Sequence, residues 1–136
     1  MPKGNATITD LLNEIFKTTA LPWAANTHLY IALHTANPAA SGSQTTSECA
    51  YGSYARVSVI RSAVGWTVSG QSTSNAALIQ FPTCTSGSET ATYVSIGTAT
   101  SGAGQLVYVG ALNTSLPIAT TIQPQFAIGA LTATES

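Results

Sequence analysis

Cysteine, histidine and paired carboxylates carry most side-chain chemistry, and this chain holds few of them: two Cys, two His and five Asp or Glu in 136 residues. Cys49 and Cys84 stand alone and fit neither a CxxC redox pair nor a zinc-ligand spacing. His28 and His34 fall on one face of an alternating segment. The extended chain between them spans about 20 Å, too far to share a metal. Asp10 and Glu14 lie one helical turn apart and face solvent, Glu89 falls in a turn and Glu135 at the end, so no carboxylate pair is set up for glycosidic acid–base chemistry. Serine is abundant, but no GxSxG elbow is present. Gly102-Ala103-Gly104 lacks the third glycine of a dinucleotide loop and joins two strands rather than a strand and a helix. Asn113-Thr114-Ser115 matches a glycosylation sequon, which has no meaning for a cytosolic chain. The reading is therefore a non-enzyme with no catalytic residue, no metal ligand and no cofactor.

The aromatic residues offer recognition instead. Trp23 and Tyr51 fall outside regular structure and Tyr54 follows closely. They flank a long Ala/Ser/Thr/Gly-rich stretch, residues 35–53, whose one charge is Glu48. Tryptophan and tyrosine are enriched at binding hot spots. Trp23, Tyr51, Tyr54 and Glu48 are thus the candidates for a protein interface, with stacking on sugar rings as the alternative. A loop as long as 35–53 is uncommon within a compact domain. It reads either as an arm that orders against a neighbour or as a mobile surface loop.

The elements that position these residues are mostly strands. Ile8, Leu11, Leu12, Ile15 and Phe16 recur at helical spacing and predict one amphipathic helix over about 8–20, with Thr7 and Asp10 at its start and Pro22 beyond its end. Residues 27–34 alternate, with Leu29, Ile31 and Leu33 on one face. Further strands are predicted at 54–61, 65–69, 76–81, 92–99, 105–112 and 121–133, separated by Gly, Pro, Ser and Asn. Ser101-Gly102-Ala103-Gly104 reads as a hairpin turn. The expected fold is mainly β: a single domain over 1–136 in which an antiparallel, jelly-roll-like sandwich spans 27–133. Trp66, Ile79, Phe81, Leu106 and Phe126 are its expected core.

Composition narrows the function. Charged residues make up 7% of the chain, against about 25% for an average domain. A dispersed monomer keeps a charged surface, whereas interface centres are depleted of charge, so the composition suits a protein that works inside an assembly. Lys3, Lys17, Arg56 and Arg61 are scattered, and the two arginines sit at a spacing that sends them to opposite faces of one predicted strand. That excludes a nucleic-acid partner, which requires clustered basic residues. No apolar run approaches the roughly 20 residues that span a bilayer, and the N-terminus lacks the pattern of a secretory signal. Folding in the cytosol is expected, with both thiols free.

The ordered run of segments resembles small virion proteins of tailed bacteriophages, described as tail-fibre-like or decoration proteins. The resemblance rests on an N-terminal amphipathic helix followed in order by LYIALHTANP (29–38), GSYARVSV (52–59), SNAALIQFP (74–82), VSIG (94–97), LVYVGAL (106–112) and PQFAIGAL (124–131). It covers nearly the whole chain. Relatives often carry a Trp after the Phe-Pro strand, where this chain has residues 86–90. The resemblance implies a virion structural protein made and folded in the host bacterial cytoplasm. The favoured expectation is a capsid cement protein that binds the major capsid protein and self-associates as a dimer or trimer. The alternative is a tail-fibre or baseplate component that binds a receptor or glycan.

Overall fold

The computed structural model describes residues 1–135. In chain order the elements are α1 (Asn5–Lys17), β1 (His28–His34), β2 (Val57–Ile60), β3 (Trp66–Ser69), β4 (Ser72–Asn75), β5 (Ile79–Gln80), β6 (Ser88–Gly97), β7 (Leu106–Ala119), β8 (Gln125–Phe126) and β9 (Thr132–Thr134). The fold is mainly β and antiparallel with one N-terminal helix, as the alternation predicts. The main layer is a four-stranded sheet in the order β2-β1-β6-β7, and the other strands form the sheets β3-β4-β9 and β5-β8. The likeness to a jelly roll stops at this layering, because a jelly roll pairs two four-stranded sheets.

Register explains the core. Ile31 opposes Ile96 and Leu33 opposes Val94, so alternate residues of β1 and β6 gather on one face of the main sheet. That face meets Ile79, Phe81 and Leu131 in one buried cluster, with Trp66 and Phe126 packed half-buried at its border. Ile79, Phe81 and Leu106 are fully buried, as expected; Trp66 and Phe126 are only partly so. Asn75, at 1% exposure, ties the second layer together. Its amide donates to the carbonyls of Ala77 and Ala127 (2.8 and 2.9 Å), and its oxygen accepts the N–H of Leu131. The turn predicted at 101–104 joins β6 to β7, whose antiparallel pairing runs from Gly97–Leu106 to Ser88–Ala119.

Several boundaries differ from expectation, each for a local reason. The helix spans 5–17 rather than 8–20. Thr18, at φ 51°, closes it four residues before Pro22. Thr7 does not cap it: the N-cap is Gly4, and the Thr7 hydroxyl is buried, donating to the Leu106 carbonyl at 2.8 Å. Gly4 has no substitute here, since a Cβ would lie 2.2 Å from the Leu106 oxygen. The expected strand 121–133 is split into β8 and β9 by a turn in which Gly129 takes φ 78°. Only two residues of 76–81 pair, whereas the polar segment Ser72–Asn75 forms the unpredicted β4. Arg56 and Arg61 flank β2 instead of sharing a strand.

The stretch 35–53 is neither a free arm nor a loose loop, because it folds back beside the end of β1, where Glu48 bridges His34, and against the turn between β6 and β7. Backbone bonds run from Thr35 N–H to the Ser47 carbonyl, from Cys49 N–H to the Leu33 carbonyl and from Gln44 N–H to the Gly104 carbonyl. Gln44 is fully buried, and its Oε1 accepts the Ala99 N–H at 2.9 Å. Gly97 leaves the room for it: a Cβ there would lie 2.1 Å from the Gln44 amide carbon. Three non-glycine residues of the loop, Ala39, Ser47 and Ser53, hold positive φ. Such backbone persists where surrounding contacts over-determine it.

Candidate interaction surface

The four residues singled out as interface anchors fall in two places. Glu48, Tyr54 and Tyr51 stand together at the end of the long loop, and they are internal. Arg56 grips the Glu48 carboxylate with two parallel bonds, Nε to Oε2 at 2.7 Å and Nη2 to Oε1 at 2.8 Å. It also donates to the Ala99 and Gly102 carbonyls. The Arg56 side chain is 3% exposed and that of Glu48 15%. The Tyr54 hydroxyl donates to Glu48 Oε2 at 2.8 Å and accepts the Leu33 N–H at 3.2 Å. Burial and the adjacent Glu48 charge push the Tyr54 phenol well above its ordinary value. Tyr51 lies in the core, edge-on to Tyr54, and its hydroxyl donates to the Pro82 carbonyl at 2.7 Å. Burial drives its pKa up to about 12. These side chains lock the loop to the sheet and leave little surface for a partner. The sequence could not reveal this, because a tyrosine outside a strand reads as exposed until its tertiary neighbours are known.

Trp23 lies in the turn between α1 and β1 and is half-buried. The Arg61 guanidinium stacks over its ring at 5.2 Å, and Arg61 Nη1 donates to the carbonyls of Trp23, Ala24 and Asn26. The pair pins this connection to the end of β2 and places Trp23 closer to the surface than Tyr51.

The residues of chemical interest are likewise structural. His34 is fully buried. Its Nδ1 faces the Thr46 carbonyl at 2.9 Å, so that nitrogen carries the proton and Nε2 accepts from the Ser95 hydroxyl at 2.8 Å. Burial holds its pKa below the ordinary histidine value, against the raising influence of the Thr46 carbonyl and Glu48. His28 shares the β1 face, and its Nδ1 lies 2.8 Å from the Thr27 hydroxyl. Cys49 and Cys84 are free and buried, and burial with the nearby Glu89 pushes the Cys49 thiol up to about 12. Glu89 itself accepts the N–H groups of Ala50 and Tyr51. Among the described residues, no three His, Cys, Asp or Glu side chains gather as metal ligands. No helix among them is long and apolar enough to cross a membrane.

Large apolar side chains also face outward. The helix presents Thr7 and Asp10 to β7, where the Gln105 amide donates to both at 2.9 Å. Its apolar stripe is turned away from the body: Ile8, Leu12, Ile15 and Phe16 are 41%, 52%, 68% and 77% exposed. From sequence the stripe shows only that the helix is amphipathic, and no signal in its periodicity separates a core-facing from a partner-facing stripe. A second apolar feature, a groove of about 460 Å³, opens between the layers among Leu29, Trp66, Val68, Ile96 and Tyr108, with Arg61 at its lining.

The exposed surface is thus apolar along the helix, and comparison with known sequences gives a family. Residues 3–134 match the family described as podophage GP4 fiber I protein gp80. A search of curated proteins finds no match. The match covers nearly the whole chain, which belongs to this family of tailed-phage virion proteins.

Proposed function

We propose that this member of the podophage fibre family is a structural building block of a virion fibre, working through protein–protein packing and catalysing no reaction. The observation that carries this reading is the match of residues 3–134 to a family described as a fibre protein. The match favours the tail-fibre alternative over the capsid cement protein, whose partner would be the major capsid protein. The surface supports it: large apolar side chains stand exposed on the helix while charge is scarce. Basic groups suited to a nucleic-acid backbone are also scarce. Lys3 pairs with Glu135, Arg56 with Glu48, and Arg61 is engaged by backbone carbonyls and Trp23. Two free buried thiols support folding in the reducing cytoplasm of the host before incorporation into the particle.

The test is stoichiometry and position in purified virions. Quantitative mass spectrometry against the major capsid protein should return tens of copies per particle, and a gold-labelled antibody should decorate projecting fibres. Hundreds of copies, with label spread over the shell, would restore the cement reading and refute this one.

A further inference from the structure

The apolar groove between the layers carries one ionic feature. Leu29, Trp66, Val68, Ile96 and Tyr108 give it apolar walls, and its volume is about 460 Å³. That falls in the range of small-molecule sites, about 300–1,000 Å³. A single protein side chain would leave much of it unfilled. Val68 lines the groove while remaining 76% exposed, so an apolar occupant would bury surface that the fold leaves in water.

Among the described residues that line it, Arg61 is the only one with a charge. Lys3 and Arg56 each pair with a glutamate, but no carboxylate among the described residues pairs with Arg61. Its guanidinium is nevertheless held in place. Nη1 donates to three backbone carbonyls, and the group sits over the Trp23 ring. These bonds use Nη1 alone. Nε and Nη2 form the edge that grips a carboxylate with two parallel bonds, and they donate to no group among the described residues. The fold thus orders a long side chain before any ligand arrives, which lowers the cost of binding. Tyr108 offers the groove only its ring, because its hydroxyl donates to Glu135, which is paired with Lys3. An anionic head therefore finds its place at Arg61, and an apolar body extends from it along the walls.

We propose that this groove binds a free aliphatic carboxylate of medium chain length, its head on Nε and Nη2 of Arg61 and its chain against Leu29, Val68, Ile96 and the Trp66 and Tyr108 rings. Charge complementarity selects an acid over an alcohol or an amine, and the apolar walls select a chain.

The test is calorimetric titration of the full chain with octanoate, beside 1-octanol and octylammonium. One octanoate should bind per chain, at least about tenfold more tightly than either, the worth of a charge-assisted hydrogen bond. From hexanoate to decanoate the affinity should rise by up to about fourfold per methylene. Arg61→Gln keeps a donor for the backbone carbonyls but removes the charge, and should bring octanoate down to the affinity of octanol. Val68→Glu places a carboxylate at an exposed position of the lining. It should weaken octanoate at least about tenfold with the thermal transition still cooperative, which keeps the test valid where Arg61→Gln fails to fold. Leu12→Asp, on the exposed helix face, should change nothing. No binding of octanoate or decanoate to the unmodified chain would overturn the proposal. So would equal binding of octylammonium, a folded Arg61→Gln or Val68→Glu chain that binds octanoate undiminished, or loss of binding in Leu12→Asp.

Discussion

Removing the Glu48 carboxylate tests whether the long loop belongs to the folded body. In the folded chain Glu48 accepts both bonds of the Arg56 fork and the Tyr54 hydroxyl, and the Arg56 side chain is 3% exposed. Glu48→Ala leaves a buried guanidinium without its counter-charge, a change that costs about 3–5 kcal/mol where a buried pair is broken. The Ala99 and Gly102 carbonyls remain as neutral acceptors for Arg56, so the lower end of that range applies. Tyr54 keeps its bond from the Leu33 N–H but loses its acceptor, which adds to the loss. Against a total stability of about 5–15 kcal/mol this is a large fraction. With a urea dependence of about 1–3 kcal/mol per molar, the unfolding midpoint should drop by roughly 2 M with an unchanged slope. Glu48→Leu combined with Arg56→Met removes both charges and should recover most of the loss, because the desolvation cost disappears with the attraction. A Glu48→Ala cost below about 1 kcal/mol, the range of exposed pairs, would mean that the loop does not hold the pair in solution and that its packing has been misread.

Other expectations follow from burial. Phe81→Ala, at a fully buried site, should cost about 3–5 kcal/mol by urea unfolding, whereas Phe126→Ala should cost clearly less, because that ring is only partly buried; equal losses would contradict the packing. The lowered His34 pKa means that the unfolded chain binds the proton first as pH falls through about 6.5. Its contribution is intact above that value and is lost towards the lower folded pKa, with a slope of up to about 1.4 kcal/mol per pH unit. Urea midpoints measured from about pH 8 to pH 5 should show this slope, and His34→Gln should flatten it. Cys49 and Cys84 should resist a thiol reagent in the native protein and both react in denaturant without reductant; rapid native labelling of Cys49 would show that its site opens.

Local pattern and composition carried much of the fold. Strict alternation in β1, the glycine turn at 101–104 and the near-absence of charge were enough to read an antiparallel, mainly β chain made for assembly, because side-chain period and turn chemistry are properties of neighbouring residues. The order of segments sufficed for the phage virion resemblance. The candidate site was not legible in the same way. Tyr51, Tyr54 and Glu48 became internal only when residues 35–53 folded back beside β1, and Gln44 fits there because Gly97 lacks a Cβ. Polar core residues such as His34 and Asn75 carry no local mark, since their partners are backbone groups far away in sequence. The helix shows the division most plainly. Its period states that one face is apolar, but which face is buried is set by Thr7, Asp10 and Gln105 meeting across the fold. Periodicity records how a segment is divided into faces; only packing between distant segments decides which face meets the body and which is left for a partner.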